Sequence, residues 1–366
     1  MKIPFNDLSA IHQSIRKNIN TSISKVINAN KFILSNEVKL FELEFAKYCN
    51  AKYAIGCGNG YDALFLALKS LNLKKNSEVI VPAMTYAATA YAVINAGLKI
   101  KLVDVDLNGL MNLEELERKI SKKTKAVIPV HLYGQPLNMK KLIQLKKKYN
   151  FYIIEDCAQA HGAFDYSTNQ KIGCIGDVAC YSFYPGKNLG AFGDAGALVT
   201  NNRNLYSKLK AYRALGAEKK YLHKTFGINS RLDELQASIL RIKIRKLDFW
   251  NCSRIQVANY YINKIKYNKN FIFINTKKGS VFHIFNVLVK NRKMFMNFLK
   301  KKNIDFVVHY PKTINQHNLF RKIKKKEYKV AQKIANNSIS LPIFPYMKKI
   351  QIDYVVKNIN KYIEKN

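Results

Sequence analysis

The sequence predicts an α/β protein, with a large domain built on a mostly parallel sheet and a smaller C-terminal α/β domain. Short apolar runs alternate with helical patterns through the first part of the chain, which is typical of βαβ units. A glycine-rich turn separates the first such run from its helix, and a shorter strand–helix alternation returns near the C-terminus. We therefore expect residues 1–250 to form the large domain, with an N-terminal helical segment, and residues 251–366 the small one.

The first 50 residues are expected to be helical after a short extended start. Residues 6–8 (Asn-Asp-Leu) suit a helix N-cap, and isoleucines then recur at every fourth position from Ile11 to Ile23. A second helix is expected over residues 37–48, after a Ser-Asn pair.

Strands and helices then alternate along the chain. Strands are expected at residues 53–55, 79–82, 101–106, 126–131, 152–156, 178–183, 195–200, 281–289 and 304–309. Helices are expected at residues 61–71, 85–96, 113–120, 139–148, 231–247, 293–301 and 350–365.

The charge of the chain allows two interpretations. Its 62 Lys and Arg against 24 Asp and Glu give a net charge of +38, a field that attracts polyanions and anionic substrates. The lysine runs are dispersed, and aromatic residues do not interleave with them as they do in a nucleic-acid stacking platform. We therefore interpret the charge as lysines on solvated faces and expect no nucleic-acid partner.

Cysteine spacing and hydropathy indicate a cytoplasmic protein. The six cysteines form no C-x-x-C pair, so we expect reduced thiols and no metal site. The N-terminus has no apolar run of a signal peptide. Residues 79–98 carry no charge, but their proline, threonines and asparagine favour strand, loop and helix over a membrane span.

A glycine-rich turn lies between the strand at residues 53–55 and the helix at 61–71. Backbone N–H groups at a helix start, together with the helix dipole, bind anions such as phosphate. The spacing at residues 56–60 is G-x-G-x-G, not the G-x-G-x-x-G of a dinucleotide fold, so NAD is not expected. A plain strand–helix turn that needs glycine remains the alternative.

Two further residues carry chemical interest. Asp156 ends an expected buried strand, and ligands collect at the carboxyl ends of parallel strands. Lys187 stands alone among aromatic, glycine and apolar residues, and a desolvated lysine has a lowered pKa and can act as a nucleophile. An exposed loop lysine beside a Pro-Gly turn is the alternative. Pyridoxal 5′-phosphate needs all three features, since its phosphate, ring nitrogen and aldehyde require N–H donors, a carboxylate and a lysine.

The chain resembles the DegT/DnrJ/EryC1/StrS aminotransferases that act on nucleotide-linked sugars. The resemblance covers almost the whole sequence and implies an aspartate-aminotransferase-like fold of type I. It is carried by the motifs at residues 3–8 (IPFNDL), 59–64 (NGYDAL), 155–163 (EDCAQAHGA), 182–190 (SFYPGKNLG), 227–233 (GINSRLD) and 309–311 (HYP).

The resemblance implies a role for each matching position. Lys187 is the expected catalytic residue and binds the cofactor aldehyde, Asp156 pairs with the ring nitrogen, and Gln159 lies beside the phenolic oxygen. Tyr86 is expected to stack on the ring. The expected phosphate ligands are Gly60, Tyr61, Ser182 and, from the other subunit of a homodimer, Asn229; the substrate candidates are Tyr184, Lys220, Tyr221, His309 and Tyr310.

Tyr61 departs from the common family pattern, in which a threonine hydroxyl helps to hold the phosphate. The bulky residue favours the branch that aminates C3 of the sugar. The resemblance then implies transfer from L-glutamate to a dTDP-linked 3-keto-6-deoxyhexose, with the cofactor alternating between its pyridoxal and pyridoxamine forms. The alternatives are a C4 aminotransferase for UDP- or dTDP-4-keto sugars and a non-catalytic regulator with the same fold.

Overall fold

A seven-stranded sheet forms the centre of the protein, in a computed structural model that describes residues 1–219, 221–323 and 327–365. Its strand order is β1-β9-β8-β5-β4-β2-β3. The strand pairs β8–β5, β5–β4, β4–β2 and β2–β3 are parallel, whereas β9 pairs antiparallel with both β8 and β1. The expected α/β fold with a mostly parallel mixed sheet is thereby confirmed. These strands are β1 (Tyr53–Cys57), β2 (Glu78–Pro82), β3 (Lys99–Val103), β4 (Thr124–Val127), β5 (Tyr152–Asp156), β8 (Val178–Ser182) and β9 (Gly196–Thr200).

Smaller sheets flank the central one. Two two-stranded ribbons are β6 (Phe164–Asp165) with β7 (Gln170–Lys171) and β10 (Ala217–Lys219) with β11 (Leu222–His223). A three-stranded antiparallel sheet contains β12 (Phe271–Phe273), β13 (Phe285–Val289) and β14 (Ser338–Leu341).

Twelve α-helices occur in the described part of the chain. They are α1 (Ser9–Ala29), α2 (Asn36–Tyr48), α3 (Gly60–Ser70), α4 (Ala87–Asn95), α5 (Leu113–Lys119), α6 (Met139–Tyr149), α7 (Arg203–Tyr212), α8 (Glu234–Ile244), α9 (Leu247–Lys264), α10 (Arg292–Lys301), α11 (Lys329–Asn337) and α12 (Lys349–Lys365). None of these helices combines the length and the apolar character needed to cross a bilayer.

The first two helices begin in different ways. Asp7 accepts a hydrogen bond from the Ser9 N–H at 2.8 Å, so the start of α1 is capped locally. The start of α2 is capped from far along the chain, because the buried Glu234 carboxylate accepts from the N–H groups of Ser35, Glu37 and Val38. This carboxylate also lies at the positive end of the helix dipole, and it joins α2 to α8.

Helix α9 contributes residues to the two larger hydrophobic clusters. The larger one surrounds the seven-stranded sheet and includes Leu247, at the start of α9. The second one surrounds the three-stranded sheet and includes Val257 and Tyr261, from the second half of the same helix. The domain boundary expected between residues 250 and 251 falls within this helix and stays a prediction.

Three sequence-based expectations about secondary structure were wrong. Residues 304–309 form no regular strand; Ile304 and Val307 each make only an isolated bridge. The helix expected over residues 231–247 is interrupted between Ile244 and Leu247, so that α8 and α9 are separate. The strand expected from residue 281 begins at Phe285, because the preceding residues bond to a loop near the central sheet instead.

Candidate active site

A cavity of about 460 Å³ lies at the carboxyl ends of the central strands. This position follows from the parallel pairing, which brings the ends of β2, β5 and β8 to the same edge of the sheet. Ten of the thirteen residues predicted for the site line this cavity: Gly60, Tyr61, Tyr86, Asp156, Gln159, Ser182, Tyr184, Lys187, His309 and Tyr310.

Lys187 projects from the loop that joins β8 to β9. The Phe183 N–H donates to the Ala195 carbonyl at 2.7 Å, which closes the base of the loop. The Lys187 N–H donates to the Tyr184 carbonyl at 2.9 Å, forming a turn at its tip. A Cβ at position 190 would lie 2.3 Å from the Pro185 carbonyl oxygen, so only glycine allows the two sides of the loop to meet there.

The surroundings of Lys187 favour the unprotonated form of its amine. Burial lowers the pKa of Lys187 to about 8, and the nearby Asp156 carboxylate limits this decrease. About a tenth of the amine is therefore unprotonated at pH 7, far more than for an ordinary lysine, and a nucleophile or general base requires this form.

Asp156 lies at the end of β5, and its side chain is almost fully buried. Thr89 donates its hydroxyl to Asp156 Oδ2 at 2.7 Å, and the Ala158 N–H donates to Oδ1 at 3.2 Å. Burial raises the pKa of Asp156 above its ordinary value, while the Thr89 hydrogen bond and the charge of Lys187 oppose the increase. A positively charged ring nitrogen in the cavity would favour the ionised carboxylate further.

The start of α3 forms the anion-binding corner of the cavity. Asn59 caps the helix by accepting from the Asp62 N–H at 2.8 Å, and the N–H groups of Gly60 and Tyr61 belong to the first turn, where helix geometry provides no partner. A Cβ at position 60 would lie 2.5 Å from Ser182 Cβ. Glycine therefore lets the helix start approach the Ser182 hydroxyl, and together these groups could hold a phosphate.

Tyr61 does not direct its hydroxyl toward this corner. The hydroxyl accepts a hydrogen bond from Asn95 on α4, and the ring is stacked with that of Phe65 at 6.4 Å and 9°. The Tyr61 hydroxyl is thus paired elsewhere, and the binding of phosphate by the Tyr61 backbone N–H stays a prediction.

The opposite wall of the cavity is held by Gln159. Its Oε1 accepts from the Tyr133 N–H at 2.7 Å, and its Nε2 donates to the Tyr310 hydroxyl at 2.9 Å, so the orientation of the amide is fixed. Tyr86 leaves 62% of its surface exposed, and its ring centre lies 5.7 Å from that of Tyr310. Its open face is available for stacking. His309 is anchored through Nδ1, 2.8 Å from Ser340 Oγ.

Two of the predicted residues that the structure describes are not part of the cavity wall. Asn229 and Tyr221 are exposed and do not line the cavity of their own chain. Lys220 lies outside the described residues. Conversely, the cavity contains Thr89 and Asp194, which the sequence analysis did not select. For Thr89, the only available signal was its spacing of four from Thr85, whose hydroxyl lies 3.1 Å away.

Two buried groups near the site have structural contacts. Glu155 accepts from the N–H groups of Gly173, Ile175 and Gly176 and lies 3.2 Å from His131 Nε2. These bonds occupy a carboxylate that would otherwise resemble a metal ligand.

His161 packs between aromatic rings, and burial together with the charge of Lys187 lowers its pKa to about 3, so the imidazole is neutral.

The residues of the cavity fit pyridoxal phosphate on the structural evidence alone. The glycine-dependent corner at Ser182 matches a phosphate, the buried Asp156 carboxylate matches a ring cation, and the Lys187 amine matches an aldehyde.

Comparison with known proteins identifies the family. The model of the DegT/DnrJ/EryC1/StrS aminotransferase family matches residues 13–360. The chain is 42% identical over 365 residues to the dTDP-3-amino-3,6-dideoxy-alpha-D-galactopyranose transaminase of Aneurinibacillus thermoaerophilus, covering 98% of this chain and 99% of that protein.

Solved structures agree with this result. The structure of S. venezuelae DesV is similar with a TM-score of 0.96 and 36% identity, covering 99% of both chains. NtdA from Bacillus subtilis, solved with bound cofactor PMP, has a TM-score of 0.92 and 26% identity and covers 99% of this chain and 85% of that one. The chain belongs to the DegT/DnrJ/EryC1/StrS aminotransferase family and is a pyridoxal-phosphate-dependent aminotransferase.

Proposed function

We propose that the protein transfers the amino group of L-glutamate to the C3 ketone of a dTDP-linked 3-keto-6-deoxyhexose. The observation that carries the proposal is the half-buried Lys187 amine, with its pKa lowered to about 8, facing the Asp156 carboxylate in one cavity. The sugar and its C3 position are supported by the similarity to a dTDP-3-amino-sugar transaminase.

The cofactor, when bound, supplies an electron-withdrawing ring that makes the C–H bond beside the reacting nitrogen acidic. Lys187 takes the proton from the α-carbon of glutamate and, in the second half-reaction, returns a proton to C3 of the sugar. Asp156 would hold the ring nitrogen in its protonated form. Ser182 and the start of α3 would bind the phosphate, and Gln159 would bind beside the phenolic oxygen.

The sugar nucleotide is proposed to enter past Tyr184, His309 and Tyr310. These side chains line the cavity, and 58% of the Tyr184 surface is exposed. Burial and the charge of Lys187 lower the pKa of His309 to about 4, so its imidazole binds as a neutral group. The diphosphate would be attracted by the net charge of +38, an effect mainly on the association rate.

A homodimer would complete the site. Asn229 is exposed and does not line the cavity of its own chain, so we propose that it binds the phosphate in the site of a second copy. Tyr221 is likewise exposed, and with Lys220 it is proposed to bind the sugar nucleotide of that copy. We also propose a cytoplasmic location, because all six cysteines are free thiols.

Substitution of Lys187 tests the catalytic assignment. Lys187→Ala should lose the absorbance of the lysine-bound cofactor and at least a thousandfold of the turnover, since covalent attachment and proton transfer both depend on this amine. Lys246→Ala, at an exposed lysine, is the matched control. Full transaminase activity in Lys187→Ala would refute the assignment.

Substrate assays test the remaining parts of the proposal. With glutamate as donor, the 3-keto sugar nucleotide should be aminated in preference to UDP- and dTDP-4-keto sugars; exclusive use of a 4-keto sugar would establish the C4 alternative. Failure with every keto sugar would favour a non-catalytic regulator.

Mixing experiments test the shared site. Inactive Lys187→Ala and Asn229→Ala proteins, when mixed and allowed to exchange subunits, should recover up to about a quarter of wild-type activity, because each mixed dimer has one intact site. If a mixture that is shown to contain mixed dimers recovers no activity, a shared site is excluded.

A further inference from the structure

The residue after Lys187 is buried and makes three hydrogen bonds. Asn188 Nδ2 donates to Asn251 Oδ1 at 2.8 Å and to the Val281 carbonyl at 3.1 Å. Its Oδ1 lies 3.0 Å from His283 Nδ1. The loop that carries the lysine is therefore attached at its tip to α9 and to the segment that leads into β13.

The hydrogen bonds of this group have a defined direction. Asn251 Nδ2 donates to the His161 carbonyl at 2.8 Å, so its Oδ1 must accept from Asn188. Asn188 then presents its own oxygen to His283, and the imidazole must carry its proton on Nδ1. Burial holds the pKa of His283 well below its ordinary value, so the ring is neutral and donates this one hydrogen bond.

The segment that contains His283 also contacts the opposite wall of the cavity. Its Val281 N–H donates to the Gly134 carbonyl at 3.0 Å, and its Ile284 N–H donates to the Tyr133 carbonyl at 3.4 Å. The Tyr133 N–H in turn holds Gln159 at 2.7 Å. One short segment thus binds both the lysine loop and the residue that faces it across the cavity.

We propose that His283 and Asn188 are positioning residues for the reaction: through Asn188, His283 sets where the Lys187 amine lies relative to Gln159. Within the described chain, the cavity wall includes Lys187 but neither Asn188 nor His283, so both act through the lysine loop. The proposal rests on the proposed function only in taking Lys187 as the reacting amine.

Two substitutions at His283 separate positioning from bulk packing. His283→Leu removes the donor, whereas His283→Asn places an amide nitrogen close to the position of Nδ1 and keeps it. His317→Leu, at a histidine outside this group of hydrogen bonds, is the control. Thermal unfolding of each variant shows whether the fold is retained.

The first readout concerns the amine itself, without bound cofactor. Trace acetylation of the full-length protein across pH, followed by mass spectrometry of the Lys187 peptide, gives the pKa of this lysine. In His283→Leu, the pKa should rise by at least about 0.5 from its value of about 8, because a loosened loop admits water. His283→Asn and the control should keep the wild-type value.

The second readout is the half-reaction of the holoenzyme with L-glutamate, which needs no sugar. His283→Leu should lower the maximal rate about tenfold while KM changes less than about twofold, and His283→Asn should restore most of the rate. Asn188→Ala should lower the rate at least as much as His283→Leu, because it removes the bond to His283 and also the bonds to Asn251 and Val281. An unchanged Lys187 pKa and rate in a folded His283→Leu protein would overturn the proposal. If the half-reaction with glutamate behaves as expected but the sugar nucleotide is not aminated, only the proposed substrate is wrong.

Discussion

Replacing Lys187 by methionine should stabilise the cofactor-free protein while abolishing transamination. Burial lowers the pKa of Lys187 from 10.5 to about 8, so the folded chain binds this proton less tightly than the unfolded chain does. Stability therefore rises with pH between about 8 and 10.5 and is reduced below pH 8. Methionine fills a similar volume without a charge and removes this penalty.

The size of the effect follows from the two pKa values. They differ by about 2.5, which corresponds to about 3 kcal/mol at neutral pH, at about 1.36 kcal/mol for each pH unit. The amine is only half-buried, so we expect a gain in the free energy of unfolding of about 1 to 3 kcal/mol at pH 7. At pH 10 the gain should fall below about 1 kcal/mol, because the lysine of the folded protein is then neutral.

Urea unfolding of cofactor-free protein at pH 7 and pH 10 measures both values. Lys246→Met, at an exposed lysine, should change stability little at either pH. The reasoning is refuted if Lys187→Met gains nothing at pH 7, or if its gain is the same at both pH values. The second outcome would indicate a packing effect instead of the removal of a buried charge.

Three further substitutions test the cofactor contacts. Thr89→Val removes a 2.7 Å hydrogen bond to the Asp156 carboxylate, and hydrogen bonds to charged groups contribute about 1.5–3 kcal/mol. Cofactor binding, measured by equilibrium dialysis, should therefore weaken at least about tenfold. Unchanged binding would show that Thr89 does not support the cofactor. Gly60→Ala places a Cβ 2.5 Å from Ser182 Cβ and should weaken phosphate binding at least about tenfold, measured as the apparent Kd for added cofactor; wild-type affinity would exclude this corner as the phosphate site. Tyr61→Phe should change that Kd less than about twofold, because its hydroxyl pairs with α4, and a larger loss would show a direct role in phosphate binding.

Local patterns predicted the main features of the fold and the site. The glycine-rich turn before α3, the strand ending in Asp156 and the isolated Lys187 are each encoded within a few adjacent residues. The motifs of the family resemblance added Gln159 and Ser182, and all of these line one cavity in the structure.

Contacts between distant parts of the chain were not predictable in the same way. No local pattern shows that Glu234 caps α2, or that Thr89 binds Asp156 from another element. The segment before β13 has the apolar character of a strand, but its backbone bonds to the loop at Tyr133. The predicted role of Asn229 depends on a second copy of the chain, which one sequence cannot place.

The long-range cap of α2 has a consequence for the order of events during synthesis. Ser35 and Glu234 are separated by 199 residues, and among the described strands β1 pairs only with β9, with Tyr53 opposite Thr200. At about 5–20 residues per second, a ribosome needs roughly 10–40 s to make the intervening chain. For this time the start of α2 lacks its cap, and for roughly 7–30 s the apolar β1 lacks its partner strand, because Tyr53 and Thr200 are separated by fewer residues. The nascent N-terminal part is therefore the stretch where chaperone binding would matter most.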